Sequence, residues 1–144
     1  MTQFKESFRD HEVCIIGLGY VGLTLATVMA GSGFHVTGIE IRPDVLNLLR
    51  AGESHFFEPG LDGRLKQAIR DGRMEFFGEI PPACRAMLFI ITVGTPLGPD
   101  GKSRMDSIAA VTGQVAKVLK PGDLVILRST VKLGTTRNVV LPLL

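Results

Sequence analysis

Residues 17–22 read GLGYVG and follow directly on the apolar run VCII. No other feature restricts the chain as much. The apolar run ending in glycine, then VGLTLATVMAGS at 21–32 stopped by Gly33, reads as strand, tight turn and helix. In that context the spacing G-x-G-x-x-G has a physical meaning. Gly17 allows the tight turn. Gly19 lets a ligand approach the backbone with no Cβ in the way. Gly22 lets the helix pack closely on the strand. The start of the helix leaves unpaired N–H groups and the positive end of its dipole at the same spot. Such a turn suits a diphosphate, and the pattern is that of a dinucleotide-binding fingerprint. Alone it is weak, because the chain has 17 glycines; its place between strand and helix gives it weight.

The remainder of the chain continues the alternation. FHVTGIE (34–40) is β-rich, and Pro43 opens a helix over 44–52 that stops at Gly52. After a loop, ESHFFEPG (53–60), the spacing of Leu61, Leu65 and Ile69 predicts a helix over 61–72. MEFF (74–77) is a short strand, and AMLFIITVG (86–94) is an apolar run expected of a strand covered on both faces. Residues 105–119 form a helix with Ile108, Val111, Val115, Val118 and Leu119 inward. LVILRST (124–130) reads as another buried strand, and residues 134–144 as the start of a further helix. Alternating strands and helices predict an α/β fold: a Rossmann-type doubly wound parallel sheet, with helices on both faces making three layers. The 144 residues suit one domain, taken as 13–144, behind a flexible lead-in at 1–12 where Phe4 and Phe8 allow a short helical turn.

Ligands of such sheets bind at the carboxyl ends of the strands, near the switch in strand order. That singles out the loops 17–22, 94–103 and 129–134. Glu40 ends the second strand about twenty positions beyond the fingerprint, where an acidic residue accepts hydrogen bonds from the adenosine ribose. A carboxylate there also repels the 2′-phosphate of NADP, which favours NAD. Arg42, two residues on, is placed to offset that repulsion. VGTP (93–96) ends the fourth strand with Val93, Gly94 and Thr95; RSTV (128–131) ends the fifth with Ser129 and Thr130. Asp106, at a helix start, reads as a cap.

Composition excludes several classes. The net charge is +2, from 16 basic and 14 acidic residues with no basic stripe or block, so neither nucleic acid nor a membrane is an expected partner. Cys14 and Cys84, with His11, His35 and His55, have no metal-ligand spacing, and no metal site is expected. The two cysteines read as reduced thiols. There is no signal-peptide pattern and no apolar run of transmembrane length, so a cytoplasmic protein is expected. No G-x-S-x-G, H-E-x-x-H or P-loop lysine is present.

With these pieces in order the chain resembles the NAD-binding N-terminal domain of the UDP-glucose/GDP-mannose dehydrogenase family. The stretches that carry the resemblance are VCIIGLGYVGLTLA, GIEI, RAGESHFFEPGL, FIITVGTPLGPDGKSRMD, LKPGDLVILRSTV and GTTRNVV, from about residue 13 to the end. The resemblance implies oxidation of a nucleotide-sugar C6 alcohol to the carboxylate with two NAD+, by way of a cysteine nucleophile. It also implies that Tyr20, Val21, Glu40, Thr95 and Thr130 contact the cofactor, with Thr130 supporting the catalytic water. The family often has Asp where Glu40 stands. It often has Lys or Arg where Val45 stands, so that adenosine contact is either missing or supplied by Arg42. Lys132 and Leu133 replace a usual Pro-rich stretch. The family's catalytic cysteine, lysine and sugar-binding residues fall beyond residue 144, and neither Cys14 nor Cys84 matches the nucleophile. This chain is therefore expected to bind NAD without turning over a UDP-sugar, and the full-length enzyme to be a homo-oligomer. The alternatives are a stand-alone nucleotide-binding module and the first domain of another NAD oxidoreductase, such as a hydroxyacid dehydrogenase.

Overall fold

Alternation of side chains along the first strand sets up the whole molecule. In β1 (Glu12–Ile16), Val13 and Ile15 enter one hydrophobic cluster while Cys14 and Ile16 enter a second. A strand whose two faces are both apolar must be covered twice. The computed structural model, which describes residues 11–101 and 104–144, has that arrangement.

The elements after β1 are α1 (Tyr20–Gly31), β2 (His35–Ile39), α2 (Pro43–Arg50), α3 (Leu61–Arg70) and β3 (Met74–Phe77). They are followed by β4 (Leu88–Ile91), α4 (Asp106–Ala116) and β5 (Leu124–Leu127). The strands form one parallel sheet in the order β3-β2-β1-β4-β5. Three layers result. On one face Leu23, Ala26 and Ala30 of α1, Val45 and Leu49 of α2, and Leu61 and Leu65 of α3 pack on Val13, Ile15, Val36 and Phe76. On the other, Val111 and Val115 of α4 pack on Cys14, Ile16, Phe89 and Ile91. The chain runs outward from β1 through β2 to β3, then crosses to β4 on the far side of β1. The order reverses between β1 and β4, which opens a crevice at their carboxyl ends.

Two expectations are corrected. LVILRST is not a strand buried on both faces. β5 lies at the edge of the sheet: Val125 and Leu127 pack with α4's cluster, but Leu124 is 56% exposed, because no described helix covers the face it shares with Ile126. Residues 134–144 do not open a regular α-helix either. Thr136–Val140 form a wide π-type turn and Leu141–Leu143 a 3-10 turn. Pro142 has no N–H, and its ring collides with the carbonyl four residues earlier in an α-helix, so the regular register cannot run through it. The apolar run 86–94 contributes a strand only at Leu88–Ile91. The helical turn considered around Phe4 and Phe8 lies outside the described residues, and the first strand begins at Glu12. Among the described residues no helix is long and apolar enough to cross a membrane.

Candidate cofactor site

The turn between β1 and α1 is tight because its glycines leave no alternative. Gly17 has φ +93°, in the left-handed region that disfavours side chains, and a Cβ there would meet Val93 N and Cα at 2.9 Å. A Cβ on Gly22 would lie 1.9 Å from the Gly17 carbonyl oxygen and 2.7 Å from Thr92 Oγ1. The Thr92 hydroxyl donates to that same Gly17 oxygen at 2.7 Å, or to the Ile16 oxygen at 3.0 Å, and so ties the end of β4 to the turn. Gly19 is different. A Cβ there would meet nothing within 4 Å, so no contact within the protein requires its smallness. It caps α1 without any side-chain cap hydrogen bond, and the first turn of α1 carries no acidic residue. The orphan N–H groups of that turn are left for something else, and the turn itself adds no negative charge to oppose an anion.

What Gly19 faces is a groove of about 600 Å³ at the carboxyl ends of β1, β2 and β4, a size typical of small-molecule sites. Of the residues singled out in the sequence, Gly17, Gly19, Glu40, Arg42, Val93 and Gly94 line it together. Glu40 is 9% exposed, just past β2, and its Oε1 accepts the Arg42 backbone N–H at 2.9 Å. It is thus a held carboxylate and not a solvated one. Arg42 does not turn its guanidinium onto Glu40: it pairs with Asp44 at 2.6 Å on the surface. That pairing lowers the Asp44 pKa and raises that of Arg42. Val45 is 1% exposed inside the α2 core face, so this position offers no cation to the groove.

Other expected residues sit beside the groove without lining it. Gly22 serves helix packing, as expected. Tyr20 and Val21 are exposed on the first turn of α1, and the Tyr20 hydroxyl donates to Glu58 Oε2 at 2.5 Å. The hydrogen bond to the Glu58 carboxylate holds that phenol above its usual pKa. Thr95 Oγ1 donates to the Thr130 carbonyl oxygen at 2.7 Å, and Ser129 Oγ to the Val93 carbonyl oxygen at 2.8 Å. In this state those hydroxyls stitch the loops after β4 and β5 together. Asp106, read as a cap, makes no cap hydrogen bond; it occupies the first turn of α4, lines the groove, and lies 3.8 Å from Arg104.

Sequence reasoning missed His55, Gly78, Thr92 and Gln114, all of which line the groove. Thr92 was findable as the one hydroxyl closing the apolar run FII. Gln114 interrupts the inward face of α4, and its Oε1 accepts the Ile80 N–H at 3.2 Å; a lone amide on a helix carries no signal of that kind. His55 stands in a stretch readable only as loop. Among the described residues no group of three or more His, Cys, Asp or Glu is placed to hold a metal ion.

This geometry agrees with what the chain is similar to. It is 38% identical over 139 residues to UDP-N-acetyl-D-mannosamine dehydrogenase of Campylobacter jejuni, covering 96% of this chain and 32% of that enzyme. It is 35% identical over 136 residues to GDP-mannose 6-dehydrogenase of Pseudomonas putida, covering 92% of this chain and 31% of that one. Among solved structures, a UDP-glucose dehydrogenase from the archaeon Pyrobaculum islandicum superposes with a TM-score of 0.86 at 32% identity, over 97% of this chain and 33% of the other. The chain thus spans about a third of the length of the enzymes it matches. Over residues 11–144 it matches the NAD binding domain of the UDP-glucose/GDP-mannose dehydrogenase family, and to that family it belongs.

Proposed function

We propose that this chain holds the NAD of a nucleotide-sugar dehydrogenase that oxidises the C6 alcohol of a UDP-sugar to the carboxylate. The overall conversion takes the alcohol, water and two NAD+ to the carboxylate, two NADH and three protons. When bound, the cofactor's nicotinamide supplies the hydride acceptor. The observation that carries the reading is Gly19, whose missing side chain answers to no contact within the protein and whose position lines the groove.

The chain's own residues then divide the work of binding. The backbone N–H groups at Gly19, Tyr20 and Val21 face the diphosphate from the helix start. Glu40, with Oε1 held by the Arg42 N–H, presents its other carboxylate oxygen to the adenosine ribose hydroxyls. The same charge repels a 2′-phosphate, and Arg42, engaged by Asp44, does not relieve that repulsion. Val93 and Gly94 floor the groove beside Gly17. Thr95, Ser129 and Thr130 fix the two loops that border the nicotinamide side, with Thr130 supporting the reacting centre only once the rest of the enzyme is present. Residues 13–144 act as the cofactor domain, and further domains supply the nucleophilic cysteine and the sugar site. A cytoplasmic homo-oligomer that uses a UDP-sugar completes the proposal.

Calorimetric titration of the chain with NAD+ and NADP+ tests it. NAD+ is expected to bind at least about tenfold tighter, the discrimination of one uncompensated charge contact. Tighter binding of NADP+ would overturn the role given to Glu40.

A further inference from the structure

The loop between α2 and α3 is strapped onto the start of α1. Phe56 lies 4.9 Å from the Tyr20 ring, and Tyr20 in turn donates to Glu58. His55 packs edge-on against Phe56, with ring centroids 4.9 Å apart at 85°. The polar groups around it already have partners: Ser54 N–H donates to Asp62 Oδ1 of α3 at 2.9 Å, and Ser54 Oγ to the Phe56 carbonyl oxygen at 2.7 Å. His55 Nδ1 is the exception. Among the described residues it is the one buried side-chain nitrogen or oxygen with no hydrogen-bond partner in the protein.

Buried polar atoms are satisfied as a rule, and a lone exception asks for a ligand. His55 also lines the groove, with Gly17, Gly19, Glu40 and Arg42. We propose that His55 is a cofactor-binding residue, whose Nδ1–H donates to an oxygen of the adenosine-diphosphate portion of the dinucleotide. The inference rests on the NAD reading above. An imidazole nitrogen pinned by a neighbouring ring loses little freedom on binding, so the hydrogen bond adds affinity and also fixes the 53–60 loop against the bound cofactor.

Three substitutions and two ligands test this. His55→Asn keeps a donor at the place of Nδ1, His55→Gln moves it to the place of the other ring nitrogen, and His55→Leu removes it. In calorimetric titrations of the chain, His55→Leu and His55→Gln are expected to weaken both NAD+ and ADP about tenfold, the worth of one hydrogen bond to a charged or desolvated partner. His55→Asn is expected to stay within about twofold of wild type. In the wild type, the Nδ1 resonance of 15N-labelled His55 is expected to shift on addition of ADP. Equal affinities for all four proteins, or an Asn variant that falls as far as the Leu variant, would overturn the assignment while leaving the NAD reading intact. Failure of the wild type itself to bind NAD+ would remove both.

Discussion

Gly19 and Gly22 stand three positions apart on one turn and answer to different constraints. Any side chain at Gly22 pushes α1 away from β1, because its Cβ would lie 1.9 Å from the Gly17 oxygen. Gly22→Ala is expected to cost roughly 1–3 kcal/mol, as overpacking does, and to lower Tm by about 2–4 °C for each kcal/mol. Gly19→Ala is expected to lose no more than about 1 kcal/mol of stability, since its Cβ meets nothing within 4 Å and only the N-cap preference opposes it. The same variant is expected to lose about tenfold in NAD+ affinity by crowding the place proposed for the diphosphate. Thermal unfolding and calorimetry on the two variants separate these outcomes; equal losses of stability would contradict the account. Glu40→Gln keeps an oxygen for the Arg42 N–H but removes the charge, so NADP+ is expected to gain on NAD+ by about tenfold in the ratio of their affinities. Cys84 belongs at this scale too. A hydrogen bond from the Cys14 thiol, aided by the Ala86 backbone and opposed by burial, lowers its pKa to about 6, while Cys14 is held protonated well above the usual thiol range. The native chain therefore favours the Cys84 thiolate. The resulting stabilisation is absent below pH 6, grows as pH rises toward the unfolded thiol's ordinary value of 9.0, and grows no further beyond it. Alkylation by iodoacetamide is expected to label Cys84 with a midpoint near pH 6 and to spare Cys14; labelling of Cys14 in the native chain would contradict this.

Among the elements, β4 and β5 are neighbours in the sheet but unequal in burial. Phe89 of β4 is fully buried between the layers, whereas Ile126 of β5 is 37% exposed. Phe89→Ala is expected to cost about 3–5 kcal/mol, and Ile126→Ser less than about 1 kcal/mol in this chain; urea unfolding measures both, and comparable costs would refute the edge assignment. The same pair shows what the sequence can reveal. Both strands are apolar runs, and an apolar run announces a strand without saying how many neighbours it has. Edge or centre is decided by which strands pair, and pairing joins residues as distant as Cys14 and Phe89. The fingerprint, the alternation of elements and the place of Glu40 just past β2 were legible because each depends on residues adjacent in the chain. The strap of 53–60 over α1 was not, because it depends on a Phe56–Tyr20 contact between distant segments. His55 was hidden with it, and so was the service of Gln114 to the Ile80 backbone.

At the level of the whole molecule, a sheet whose strand order reverses between β1 and β4 puts its opening where the glycine turn lies. Two clusters, one on each face, pack the sheet that frames the opening, and the groove is lined by residues of this chain alone. The enzymes it matches are about three times as long as this chain, and under the proposed function the sugar chemistry falls to further domains. The most direct test is a titration of the 15N-labelled chain with NAD+, read amide by amide. The backbone resonances of Gly19, Tyr20 and Val21 are expected to move first and furthest, followed by those around Glu40 and Gly94. Shifts that leave the turn between β1 and α1 untouched would contradict the claim that this turn receives the diphosphate.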